Sequence, residues 1–140
     1  MRKIYPIITI LFLFSFLAVS AQTRKAVGGA EVTGTFRAKG GNEFKILALG
    51  KGRLRVAFTG IYAYATANGK MANTGTADGE ATIAGDTAVL TLEDFEDCRI
   101  TMKFPRAGRL EVAQEGGCGF GFNVSADGSY RKISGAKPRF

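Results

Sequence analysis

The chain of 140 residues contains no histidine and no tryptophan, and it has only two cysteines and three prolines. Without histidine, the commonest general base and the commonest metal ligand are both missing. If the two cysteines are joined, thiol nucleophiles and zinc thiolates go as well. Ser125, Ser129 and Ser134 have no evident base near them in sequence. Catalysis of the familiar hydrolytic kinds is therefore not expected, and the chain reads as a non-enzyme with no cofactor and no metal. Without tryptophan a carbohydrate platform would fall to Tyr62 and Tyr64, which share a strand face and could stack a sugar ring. No segment carries a helical stripe, and the one long apolar run is residues 4–19.

That run sits behind Arg2 and Lys3 and ends in Val19, Ser20 and Ala21, the small-residue exit of a secretory signal peptide. Residues 1–21 are expected to be removed, with cleavage after Ala21. No cysteine follows the cleavage site to carry a lipid, so no membrane anchor is expected. Residues 22–29 read as a flexible N-terminal tail, 30–134 as a β-barrel domain and 135–140 as a basic C-terminal tail. Export to the periplasm or the extracellular space is a setting in which a disulfide persists. Loss of Arg2 and Lys3 takes the formal charge from +7 to +5. In that compartment a moderately basic protein meets envelope proteins and anionic cell-wall components, with nucleic acid a poor partner. A monomer is expected.

The chain is organised around residues 98–118. In residues 98–104 Cys98, Ile100, Met102 and Phe104 alternate with Arg99, Thr101 and Lys103, so one face is buried and the other wet. A second alternating arm follows Pro105, which cannot donate to a ladder and so belongs in a turn or at an edge. A two-residue turn at Ala107-Gly108 would place Cys98 opposite Gly117, and a bulge at Gly116-Gly117 would bring Cys118 into register. A Cys98–Cys118 disulfide is expected to close this hairpin.

Around it, short alternating runs separated by glycine-bearing turns predict strands near residues 32–36, 44–49, 53–65, 71–83, 87–92 and 129–133. Gly60 interrupts the third run and suggests a bulge or bend there. Residues 71–83, rich in Ala, Thr and Gly, read as a weak or edge strand. In residues 119–124, Phe120, Phe122 and Val124 would share a face. The fold class predicted is all-β: an antiparallel up-and-down meander of about eight strands, a closed or nearly closed barrel with one disulfide. In a closed meander the end strands near Phe36 and Tyr130 would be neighbours.

Two segments carry a resemblance. At Cys98-Arg-Ile-Thr and at Cys118-Gly-Phe-Gly-Phe-Asn-Val-Ser-Ala-Asp-Gly-Ser-Tyr-Arg-Lys the chain resembles small exported bacterial β-barrel proteins of uncharacterised type. In outline it is similar to the periplasmic lysozyme-inhibitor barrels. The resemblance covers roughly the last third of the exported chain. It implies a small secreted, disulfide-bearing barrel and, as a function, inhibition of a wall-degrading enzyme; it assigns no blocking loop to any residue.

Three candidate sites remain. Lys51, Arg53 and Arg55, with Arg106 and Arg109, would form one basic rim if their turns open at the same end, and an anionic partner would dock there. Phe120 and Phe122 could line a barrel lumen holding a small apolar ligand, the reading of a lipocalin-like carrier, or they could be core. Residues 93–97 concentrate carboxylates but lack the spacing of a calcium loop, and read as a solvated turn.

Overall fold

A computed structural model describes residues 26–140. The expected signal peptide and cleavage site lie outside the described residues. A single helical turn, α1 (Gly29–Val32), precedes eight strands: β1 (Gly34–Ala38), β2 (Glu43–Gly50), β3 (Arg53–Thr66), β4 (Gly69–Ala84), β5 (Thr87–Leu92), β6 (Phe95–Lys103), β7 (Arg109–Glu115) and β8 (Gly128–Ser134). Each pairs antiparallel with the next, and β8 pairs with β1, so the sheet is a closed up-and-down barrel. The expected neighbours meet: Phe36 stands opposite Lys132, and Ala38 opposite Tyr130. No described helix is long and apolar enough to cross a membrane.

Closure follows from the alternation. Phe36, Phe44, Ile46, Leu54, Val56, Phe58, Leu90, Ile100, Met102, Leu110 and Tyr130 all point inward and are buried, while their chain neighbours face out. The rings interlock, with Phe44 5.0 Å edge-on from Tyr130 and 4.8 Å from Phe58. Aromatic contacts of this kind add about 0.5–1.5 kcal/mol each beyond area burial. The lumen is thus occupied by the protein's own side chains.

The Cys98–Cys118 disulfide is present, with a Cα separation of 4.8 Å. A closed loop of this length stabilises by about 3 kcal/mol on the chain-entropy model. The hairpin register differs by one residue from the expected one. Met102 pairs with Val112 and Ile100 with Gln114, which puts Cys98 opposite Gly116. The Ala107-Gly108 turn forms as expected, closed by the Arg109 N–H donating to the Arg106 carbonyl; the shift arises between Lys103 and Arg106, where β6 carries one residue more than the facing side of β7. The apolar pattern decides this. In the predicted register the buried face of β6 would have met Glu111 and Glu115, whereas the observed one brings Leu110 and Val112 inward. Gly116 is indispensable there, because its φ of 72° and its contact with the Asp97 carbonyl leave no room for a side chain.

Three further expectations change. Residues 119–124 form no strand; they belong to the 116–127 connection that folds over one barrel mouth. Gly60 is not a bulge, since the β3–β4 ladder runs unbroken with Gly60 opposite Gly75. The two glycines make room for that connection instead: a Cβ on Gly60 would lie 2.6 Å from Val124, and one on Gly75 would lie 2.6 Å from the Phe120 Cβ. Residues 26–29 are not frayed. The Val27 N–H donates to the Gly85 carbonyl at 3.1 Å, and α1 stops the opposite mouth with buried Val32. Lys132 fixes α1 by donating from Nζ to the carbonyls of Ala30, Glu31 and Thr33, capping its C-terminal end. At the C-terminus Phe140 packs under the Arg55 guanidinium at 4.4 Å, and the Arg139 carbonyl accepts from Lys45.

Candidate functional site

The rim expected from the turns does not form as one surface. Lys51 and Arg106 do lie at the same end, because alternate turns of a meander share an end. They sit in the β2–β3 and β6–β7 turns, however, four strands apart in a ring of eight, on opposite sides of the mouth. Arg53 and Arg55 are outward-facing wall residues of β3 and are already paired. Arg53 makes a two-pronged bond to Glu80, with contacts of 2.8–3.1 Å, and Arg55 lies 3.7 Å from Asp78 while covering Phe140. Both carboxylates come from β4, on the diagonal across the ladder, where long side chains meet.

Arg109 belongs to a different cluster. In the observed registers Arg109 of β7 stands directly opposite Arg131 of β8, and Arg131 stands directly opposite Arg37 of β1. Three arginines therefore form a cross-strand row on the outer wall. Arg37 is neutralised by Glu43, its other ladder neighbour, at 2.7 Å. Among the described residues neither Arg131 nor Arg109 has an ion-pair partner, and the same holds for Lys39 and Arg106 at the flanks. Glu111, the acid nearest along β7, receives a short hydrogen bond from the Ser129 hydroxyl. A groove of about 480 Å³ runs along the row, lined by Arg37, Lys39, Arg109, Ser129, Arg131 and the half-exposed Ile133.

Like charges directly opposite in a sheet destabilise it by some tenths of a kcal/mol, up to about 1. The row contains two such contacts in succession, so the fold carries a local cost that a bound anion would relieve. The guanidinium fork is also the group best shaped for bidentate contact with carboxylate or phosphate.

Sequence reasoning found Arg109 here and missed Arg37, Lys39 and Arg131. The signal was available: once residues 33–36 and 127–130 are taken as adjacent strands, Arg37 and Arg131 each follow by one residue.

The lumen residues also separate. Phe120 is half-buried and packs 5.1 Å from Phe58, closing the mouth from above. Phe122 is 79% exposed and turned away from the interior. The two do not share a face because their segment is a loop, tied by the Gly121 N–H to the Thr74 carbonyl and by the Asn73 side chain to the Phe122 carbonyl. Tyr62 and Tyr64 do stack, with centroids 6.2 Å apart, and border a shallow groove with Asn73, Phe122 and Asn123. Among the described residues no group of three or more His, Cys, Asp or Glu side chains could hold a cation.

Ser125 has a carboxylate neighbour in space: its hydroxyl donates to Asp127 at 2.8 Å, and Asp127 also accepts from the Gln114 backbone at 2.6 Å. Gln114 in turn accepts from the Ala126 N–H. These contacts lock the 116–127 connection onto β7. Just inside, the buried Tyr130 hydroxyl donates to the Ala126 carbonyl at 2.7 Å. Burial pushes its pKa up to about 12, with the Asn42 side chain opposing and the charge of Asp127 assisting. It is a structural phenol, neutral at any physiological pH.

No family model matches the chain, and no curated protein or solved structure matches it either.

Proposed function

We propose that the protein is a non-catalytic, exported binding protein that docks an acidic macromolecular partner of the cell envelope, an envelope protein or an anionic wall component, on the β7–β8–β1 wall. The observation that carries this reading is the Arg37–Arg131–Arg109 row, in which two of the three cations have no carboxylate of their own among the described residues. A purely solvating surface would intersperse signs, as the Arg53–Glu80 and Arg55–Asp78 pairs do on the β3–β4 wall. A lysozyme-inhibitor role fits this face only for an acidic enzyme, since a basic one would be repelled. The carrier reading has less support, because aromatic and aliphatic side chains fill the lumen.

The test is fluorescence anisotropy with labelled poly-L-glutamate as a stand-in polyanion. Arg109→Gln with Arg131→Gln should weaken binding about tenfold or more, a change of about 1.4 kcal/mol. Arg53→Gln with Arg55→Gln removes the same net charge from paired positions and should change it little. Equal losses in the two double variants would mean that net charge alone drives binding, and the site would be withdrawn.

A further inference from the structure

On the far side of the barrel from the arginine row, the β4–β5 ladder opens. β4 pairs with β3 from Gly69 to Thr82, but with β5 only from Ala81 to Ala84. Continued in register, Glu80 would face Thr91 and Gly79 would face Leu92. Instead the β5–β6 hairpin turns away at the irregularity between Thr91 and Leu92. A bulge of that kind bends and twists a strand out of its ladder. Between the two strands lies a groove of about 610 Å³, lined by Thr76, Ala77, Asp78, Gly79 and Glu80 on one side and residues 91–95 on the other.

Along a strand, N–H and C=O point to alternate sides with period two. The Ile83 N–H donates to Gly52, on the β3 side, so odd-numbered residues of β4 serve β3 and even-numbered ones face β5. The Thr74 carbonyl agrees, accepting from the Gly121 N–H of the overlying loop. Thr82 and Ala84 are covered by β5 and Thr74 by the loop. Thr76 and Asp78, with one N–H and one C=O each, pair with no strand on that side among the described residues, and neither does the Glu80 N–H; the Glu80 C=O is taken by the Thr91 N–H, as the Ala81–Leu90 pair requires. A strand edge of this sort is a template for another chain.

The groove also has a sign. Glu93 and Asp94 stand on its outer lip without an ion-pair partner among the described residues, while the Asp78 and Glu80 charges are held by Arg55 and Arg53. Ala77 and Leu92 supply apolar contact, and Phe95 is 42% exposed at the end.

We propose that this gap is a second binding site, which takes an extended peptide segment bearing lysine or arginine by β-augmentation of β4. The peptide backbone completes the ladder at Thr76, Asp78 and the Glu80 N–H, and its cationic side chains meet Glu93 and Asp94. The site is independent of the arginine row, which faces the other way and prefers the opposite charge.

The test uses the ¹⁵N-labelled exported chain and a capped hexapeptide, Lys-Thr-Val-Thr-Val-Lys. The expected result is chemical-shift change and slowed hydrogen exchange at the Thr76, Asp78 and Glu80 amides. The same peptide N-methylated at its four central residues, and a version with glutamate at both ends, should each bind about tenfold more weakly. Glu93→Lys with Asp94→Lys, on an exposed turn, should weaken the lysine peptide similarly and leave poly-L-glutamate binding at the arginine row no weaker. No response at Thr76–Glu80 with millimolar peptide would overturn the proposal, as would equal binding of the N-methylated form. It would equally fail if the same amides responded to protein concentration alone, which would make the occupant a second copy of the chain.

Discussion

Replacing Gly75 by alanine tests how the 116–127 connection is seated on the barrel. Gly75 has an ordinary strand conformation, so an alanine there carries no backbone strain and would by itself stabilise by about 0.4–1 kcal/mol through the unfolded chain. The added Cβ, however, would lie 2.6 Å from the Phe120 Cβ and 2.8 Å from its Cγ. Those atoms are at the root of the side chain, so rotation of Phe120 cannot clear them; the loop backbone has to lift. Lifting it loosens the Phe120–Phe58 contact and the Gly121–Thr74 hydrogen bond. Overpacking of this kind costs about 1–3 kcal/mol, so the net expectation is a destabilisation of about 1–2 kcal/mol.

Trimming Phe120 to alanine does not remove its Cβ but frees the loop from its ring contact. Gly75→Ala should then cost less in the Phe120→Ala background, with a coupling of about 1 kcal/mol in a double-mutant cycle. Urea unfolding of the four proteins measures this. A stabilised Gly75→Ala protein, or strictly additive effects, would refute the claim that Phe120 is packed against the Gly60–Gly75 floor.

Two other outcomes follow from named side chains. Because the Tyr130 phenol is raised to about 12 against an ordinary value near 10, its neutral form is the one the fold accommodates. Its stabilising contribution is complete below pH 10 and is lost as pH rises from 10 to 12, up to about 3 kcal/mol. Denaturant midpoints for wild type and Tyr130→Phe should therefore converge through that window, and a difference independent of pH would contradict the assignment. Arg131→Gln removes both like-charge contacts of the row and should stabilise the protein by about 0.4–2 kcal/mol at low ionic strength. The gain should fade near 1 M salt, where screening is nearly complete; thermal unfolding at two salt concentrations checks both halves.

Most of the barrel was legible because its strands alternate cleanly. Ile100, Met102 and Phe104 against Arg99, Thr101 and Lys103 define a strand and its inner face, and the cysteines at the hairpin ends define its staple. What alternation cannot supply is where an extra residue enters a ladder, hence the one-residue slip between Lys103 and Arg106. Nor can it separate a strand from a loop that borrows strand spacing: residues 119–124 alternate glycine with phenylalanine, but glycines at 60 and 75 give that segment a floor to lie on instead of a ladder to join. The rim was misplaced for a topological reason. Counting turns fixes which end a residue occupies but not its position around the ring, and Arg53 and Arg55 found carboxylates on β4 that only the register reveals. Strand closure supplied the remainder, since Arg37 and Arg131 are 94 residues apart in sequence and adjacent only because β1 meets β8.

An acidic partner on the β7–β8–β1 wall can be located by mapping poly-L-glutamate onto the ¹⁵N-labelled chain by amide chemical shifts. Salt-sensitive changes should centre on Arg37, Lys39, Arg109 and Arg131, with Arg53 and Arg55 silent. Changes centred on the β2–β3 turn, or spread evenly over all exposed lysines and arginines, would contradict that docking.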